Sequence, residues 1–194
     1  MKNLIFIVLS ISFAFSELDL RLATGISKWY DLNSEEVSIS WTNYKTFPIV
    51  QAKTVIDHPI NNIADIIGDL SSYPKVFKRI KEAKELDDNI VHIIIDMPFP
   101  FDGRDYVVKF NIKKSKNKWM LIYSSVVHPN AAPDRYTRLP NAAGVWELKK
   151  LGSNKTEVTY IWNGELLGNF PDIGLNKAWS IWGKEIFNWL NEAL

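Results

Sequence analysis

"MPFPFDGRDYVVKF", residues 97–110, sets two prolines, a turn and an Arg-Asp pair directly ahead of an alternating pattern. From Arg104 one row reads Arg104, Tyr106, Val108, Phe110 and Ile112, and the other reads Asp105, Val107, Lys109, Asn111 and Lys113. A period of two predicts a β-strand with one apolar and one wet face. Arg104 is the exception, a guanidinium aligned with the apolar row. A buried arginine without a partner is costly. Either Asp105 or a nearby carboxylate pins it at the start of the strand, or its forked donors meet an anionic part of a ligand.

The same pattern continues outward. Residues 81–87, 90–97, 103–114, 117–127, 142–150 and 155–164 read as strands, with "KKSKNK" (113–118) and "LGSNKT" (151–156) as polar hairpin turns. Such short connections imply meander-like antiparallel order. Upstream, Glu36 to Trp41 alternates as a strand and Ile49 to Ile56 is β-rich, until His58-Pro59 interrupts. Ile60, Ile63, Ala64, Ile67 and Leu70 share one face of a helical pattern opened by Asn61, and Tyr73 to Ile80 reads as a second short helix. Leu18, Leu20, Leu22, Ile26, Trp29 and Tyr30 suggest a short docking helix in an N-terminal extension, 17–27, before a domain over 28–194. Phe170 to Ala193 is the longest helical pattern, with Pro171 in its first turn and Leu175, Ala178, Trp179, Trp182, Ile186, Leu190 and Ala193 at spacings of three and four. A sheet of this length curls and must cover its inner face. The last helix is the only element large enough to do so, which gives an α+β class with a curved antiparallel sheet around a C-terminal helix.

Composition narrows the function. Lys2 ahead of the apolar run Leu4 to Phe15, then Ala14-Phe15-Ser16, reads as a signal peptide over residues 1–16, too short to span a bilayer. The expected product is exported, periplasmic or secreted, soluble and monomeric. With no cysteine its stability must come from a packed core. Setting Lys2 aside leaves 22 basic and 22 acidic side chains, without the basic excess a nucleic-acid binder needs. Eight Trp, seven Tyr and ten Phe fit either a well-filled core or a pocket for an apolar guest.

Several segments resemble, in order, the StAR-related lipid-transfer (START) domains of the helix-grip superfamily, which also contains Bet v 1-like proteins and polyketide cyclases. "WYDLNSEEVSISW" resembles the early Trp and first strand. "ADIIGDLSSYPKVF" resembles the helix ending in an acidic turn, with Val76 or Phe77 where a Trp is expected. "MPFPFDGRDYV" resembles the Pro-x-Pro…Arg-Asp-Phe/Tyr segment. "AAGVWELKK" and "TEVTYIWNGELLGNFPDIGLNKA" resemble the Gly-x-Trp strand, the Val-Thr-Tyr strand and the Gly-x-x-Pro approach to the last helix. The resemblance implies a tunnel between sheet and C-terminal helix that holds a lipid or other hydrophobic molecule. Sterol-binding members are described with an acid–base pair in the tunnel; the positions aligned here, near Val91 and Phe110, are apolar, which speaks against a sterol.

The candidate lining follows from the inward rows: Val91, Ile93 and Ile95; Arg104, Tyr106, Val108 and Phe110; Trp119, Leu121, Tyr123 and Ser125. Trp146, Tyr160 and Trp162 extend it, and Leu175, Trp179, Trp182 and Ile186 face it from the helix. Either these residues touch one another and leave no void, or they wall a cavity in which Tyr123, Ser125 and Tyr160 offer scattered hydrogen bonds. His58, His92 and His128 lack metal-ligand spacing, and neither a Gly-x-Ser-x-Gly elbow nor a glycine-rich phosphate loop occurs. No metal, cofactor or dedicated catalytic residue is therefore expected, although Tyr123, Tyr160 or Glu165 could do acid–base work in a cyclase-type enzyme. Arg135 and Arg138 stand as candidates for the cavity mouth. Lys113, Lys114, Lys116 and Lys118 form either a solvated turn or a contact for anionic lipid headgroups. Asn154-Lys155-Thr156 matches a glycosylation acceptor.

Overall fold

The computed structural model describes residues 18–131 and 135–194, so the expected leader lies outside the described residues. The chain begins β1 (Tyr30–Ser34), β2 (Ser38–Tyr44), β3 (Phe47–Ile56), α1 (Ile60–Gly68) and α2 (Tyr73–Val76). It continues β4 (Ile80–Asp87), β5 (Ile90–Ile95), β6 (Arg104–Lys114), β7 (Lys118–Ser125) and β8 (Thr137–Arg138), and ends β9 (Ala143–Gly152), β10 (Lys155–Asn163) and α3 (Leu175–Ala193). The strands form one sheet in the order β1-β2-β3-β10-β9-β7-β6-β5-β4, with β8 parallel to the start of β6. Every other pairing is antiparallel. β3 closes on the last strand, Ile56 opposite Thr156 and Ile49 opposite Asn163, so the early hairpins continue the later meander.

The two rows expected along β6 face opposite sides and its neighbours keep the same phase, but the outer row is wet only from Lys109 on: Asp105 and Val107 are buried, while Ile112, at the end of the inner row, is exposed. Val91, Ile93, Trp119, Leu121, Trp146, Leu148, Val158 and Tyr160 belong to one buried cluster with Trp179, Ile186, Phe187 and Leu190 of α3. This is the helix-grip arrangement: the concave face of a curled sheet closed over a helix. Gly183 is where the helix comes closest, since a Cβ there would lie 2.9 Å from Ile39 Cδ1 and 3.3 Å from Ala52 Cβ. Ion pairs hold α3 at both rims of the sheet. Lys184 meets Glu35 at 2.8 Å on one side, and Arg79 makes a two-pronged pair with Glu185, at 2.6 and 2.7 Å, on the other.

The convex face has its own cover. Leu18 and Leu20 are buried against Ile49, Ile122, Val145 and Ile161. They alternate with Asp19, so the extension is extended here rather than helical; a single 3-10 turn follows at Ala23–Gly25 and Leu22 faces out. Three further boundaries differ from the sequence pattern. Tyr30 opens an unexpected edge strand, β1. α2 stops at Val76 because Phe77 turns extended and sinks into the core, edge-on to Tyr73 at 4.9 Å. Pro171 precedes a 3-10 turn, Asp172–Gly174, and α3 begins only at Leu175.

The outer face of β6 carries a buried charge. Asp105 is fully buried; Arg138 of β8 grips it through Nε at 2.9 Å and a terminal nitrogen at 2.7 Å, and His92 Nε2 stands 2.8 Å away. Burial alone would raise the Asp105 pKa, but the hydrogen bonds from Arg138 and His92 hold it below the ordinary carboxylate value. A depressed folded-state pKa contributes stability that is complete above the unfolded value of about 3.9 and is lost as pH falls through the folded one. Urea midpoints measured from pH 6 down to pH 2 should therefore drop steeply below about pH 4. Asp105→Asn should flatten that slope and, by leaving Arg138 without its carboxylate, cost about 3 kcal/mol at neutral pH. A slope unchanged in the variant would contradict the assignment.

Candidate functional site

A cavity of about 460 Å³ lies between the sheet and α3, toward the end of the sheet where β6 begins and β10 ends. It is within the range of small-molecule sites. Its floor is aromatic. Tyr160 stacks between Trp146 at 4.1 Å and Trp162 at 4.9 Å, all on the inner face of β9 and β10. Trp179 and Trp182 come down from α3, Trp179 fixed by its indole N–H donating to Gly164 O at 2.8 Å. The Tyr123 and Tyr160 hydroxyls meet at 2.6 Å. That contact depends on Gly144 opposite Tyr123, where a Cβ would fall 2.4 Å from the ring. Burial pushes the phenols of Tyr106, Tyr123 and Tyr160 well above the ordinary value, so all three stay protonated at neutral pH. They can donate hydrogen bonds but cannot abstract protons.

Loops make the rest of the wall. One runs from Met97 through Phe101, a second spans Leu139 to Ala142, and a third runs from Glu165 to Pro171. Arg104 ties the first to the third. Its side chain is 1% exposed, and it donates from Nε to Leu166 O and from a terminal nitrogen to Leu167 O, both at 2.8 Å, and from the other terminal nitrogen to Asp102 O. Phe101 against Phe170, with ring centres 4.6 Å apart, closes the same seam. The expectation of a carboxylate pin is thus corrected. Asp105 faces the other side of the strand, as alternation requires, and Arg104 is satisfied by main-chain carbonyls instead. At the polar corner, Asn141 and Asn163 donate to Glu165 Oε2 at 3.2 and 2.8 Å.

The expected lining residues divide into four groups. Ile95, Arg104, Trp162 and Trp179 border the cavity. Tyr106, Tyr123, Tyr160 and Trp182 border both it and a small adjoining void of about 30 Å³. Ile93, Val108, Leu121, Trp146 and Ile186 border only that void. Val91, Phe110, Trp119, Ser125 and Leu175 border neither: Val91 and Trp119 are buried in the core, Phe110 and Leu175 pack partly against it, and Ser125 donates to Pro140 O at 2.5 Å. Arg138 serves Asp105, and Arg135 lies over the Tyr136 ring at 5.0 Å. The lining read from strand and helix periods leaves out Leu139 altogether and takes Leu166, Leu167 and Phe170 only as part of the Asn163–Phe170 approach to the last helix, a gate rather than a wall. The lysine-rich turn at 113–118 lies at the far end of β6 and β7 from the cavity. Among the described residues, no cluster of His, Asp and Glu is arranged to hold a metal, and no helix is long and apolar enough to cross a membrane.

No protein-family model matches the chain. An uncharacterized protein of Pseudomonas aeruginosa is 33% identical over 79 residues, 40% of this chain and 39% of that protein, so the match spans well under half of the relative's length. The solved structure of human STARD10 covers 90% of this chain with a TM-score of 0.77 at 17% identity, over 76% of its own length. Human StAR-related lipid transfer protein 5 covers 89% of both chains with a TM-score of 0.78 at 14% identity. An aromatase/cyclase of Streptomyces sp. R1128 is more distant, with a TM-score of 0.52 at 12% identity, covering 75% of this chain and 92% of its own. The chain therefore has the fold of the StAR-related lipid-transfer domains.

Proposed function

We propose that the chain binds a lipid or other hydrophobic small molecule between the sheet and α3, and acts as an exported carrier or sensor. The observation that carries this is the cavity itself, about 460 Å³ walled by Trp162, Trp179, Trp182 and tyrosines that stay neutral. Each Å² of apolar guest surface removed from water contributes about 25 cal/mol, which a few hundred Å² turns into useful affinity after the costs of association. The lipid-transfer domains of the same fold support the choice of guest. Protein purified without detergent and extracted with organic solvent should release a lipid-like molecule detectable by mass spectrometry. Protein that repeatedly yields none, and takes up none when offered, would contradict the proposal. Export is tested separately: the mature chain should begin at Glu17.

Two exposed apolar side chains flank the mouth. Phe99 is 97% and Ile173 95% exposed, each on a loop whose neighbours border the cavity. Isolated exposed apolar residues are common, but this pair lies on both sides of the seam closed by Phe101 and Phe170. The mouth, rather than the distant lysine turn, is the surface we assign to transient membrane contact. Phe99→Asp with Ile173→Asp should weaken the partition onto zwitterionic vesicles, read by co-sedimentation, about a hundredfold or more, the scale of two apolar side chains leaving an interface. Their melting temperature should not move. Unchanged vesicle binding would sink this assignment.

A cyclase-type enzyme is the second reading, favoured by the aromatase/cyclase of like fold and by the paired Tyr123 and Tyr160 hydroxyls. It predicts that Tyr123→Phe abolishes turnover of an apolar substrate while leaving binding intact. Loss of both together, or of neither, would count against it.

A further inference from the structure

Arg104 is a buried cation without a carboxylate partner among the described residues. A guanidinium has five N–H donors, and three of them are committed, to the carbonyls of Asp102, Leu166 and Leu167. Carbonyl dipoles satisfy hydrogen bonds without cancelling the charge. Burial accordingly pulls the Arg104 pKa below its ordinary value, and the nearby Asp102 charge offsets only part of that. The same side chain stands in the cavity wall, which holds Arg79, Arg104 and Lys177 against Glu165 and Glu185. Arg79 and Glu185 neutralise each other, whereas the two asparagine amides satisfy Glu165 without cancelling its charge. What remains is Arg104 and Lys177 against Glu165, a positive excess at the loop end of an otherwise apolar chamber. The 460 Å³ lies in the lower half of the range of small-molecule sites, which favours a guest with one acyl chain over one with two.

We infer that the cavity takes a single-chain anionic amphiphile, a long-chain carboxylate whose head lies toward Arg104 and whose tail runs beneath Trp162, Trp179 and Trp182. This rests on the reading of the cavity as a lipid site and names the guest's charge and chain number. An anion near Arg104 compensates the charge that the fold leaves open, and the two uncommitted N–H bonds are suited to a carboxylate.

The test uses delipidated wild-type protein titrated, with tryptophan emission as readout, against decanoate, decanol and decylammonium, which share a tail and differ in head charge. Decanoate should bind about tenfold or more tighter than decanol, the change a charge-assisted hydrogen bond supplies, with decylammonium weakest. The ratio should persist at high salt, because a buried charge is poorly screened. Arg104→Gln should bring decanoate and decanol to parity; where that variant does not fold, the wild-type ratio and its salt dependence decide. Equal binding of decanoate and decanol, or a preference for decylammonium, overturns the charge assignment and leaves the cavity reading standing. Binding of none of the three overturns both.

Discussion

Arg104→Leu should lower stability by about 3–5 kcal/mol, because it leaves the carbonyls of Asp102, Leu166 and Leu167 without their donors in a partly dry seam. In a chain of this size that is a fall of about 10 °C in melting temperature. The loss should be local first. Leu166, Leu167 and Asp102 belong to the two loops that close the cavity mouth, so hydrogen exchange in 97–103 and 164–171 should accelerate more than exchange in β9 and β10. The loop geometry explains the vulnerability. Leu167 and Gly168 both hold positive φ, at 51° and 62°, conformations that need outside support when one of them is leucine. Uniform acceleration across the sheet would mean that Arg104 supports the whole domain rather than the seam.

The other large effect is expected at Phe187. It is fully buried and meets the Trp146 ring edge-on at 6.0 Å, where α3 rests on the centre of the sheet. Phe187→Ala removes a ring that the rigid surroundings cannot replace, at a cost of about 3–5 kcal/mol. Ile181, on the same helix but 42% exposed, provides the control: Ile181→Ala should change stability by less than about 1 kcal/mol. Comparable losses in the two variants, measured by chemical denaturation, would show that α3 is not gripped as described.

Much of this was legible in the residues because it rests on periods. The row Tyr106, Val108, Phe110 and the stripe Trp179, Trp182, Ile186 follow from spacings of two and of three to four, and the structure turns both toward each other. The Arg-Asp step was legible only in part. Alternation separated Arg104 from Asp105, but the acceptors for Arg104 are main-chain atoms, which no residue type announces. The partner for Asp105, Arg138, lies on a two-residue strand with no pattern of its own. The cavity divides along the same line. Its aromatic floor belongs to strands and a helix and could be named in advance. Its mouth belongs to aperiodic loops, where Leu139, Leu166 and Phe170 reach the space only through tertiary placement. Strand ends also depart from the pattern: Ser125, on the inward row, is spent on Pro140, and Val127, beyond the end of β7, is 91% exposed.

Ala178 faces the hollow from the first turn of α3, beside Trp179. Ala178→Trp places an indole in the space where a guest would lie. Titration of wild type and variant with a long-chain hydrophobic fluorophore should show one saturable site in the wild type. The variant should bind about tenfold or more weakly, as expected when a guest loses more than 50 Å² of buried apolar contact, and its melting temperature should be equal or higher. A stable variant that binds as well as the wild type would place the guest elsewhere and contradict the account at its centre.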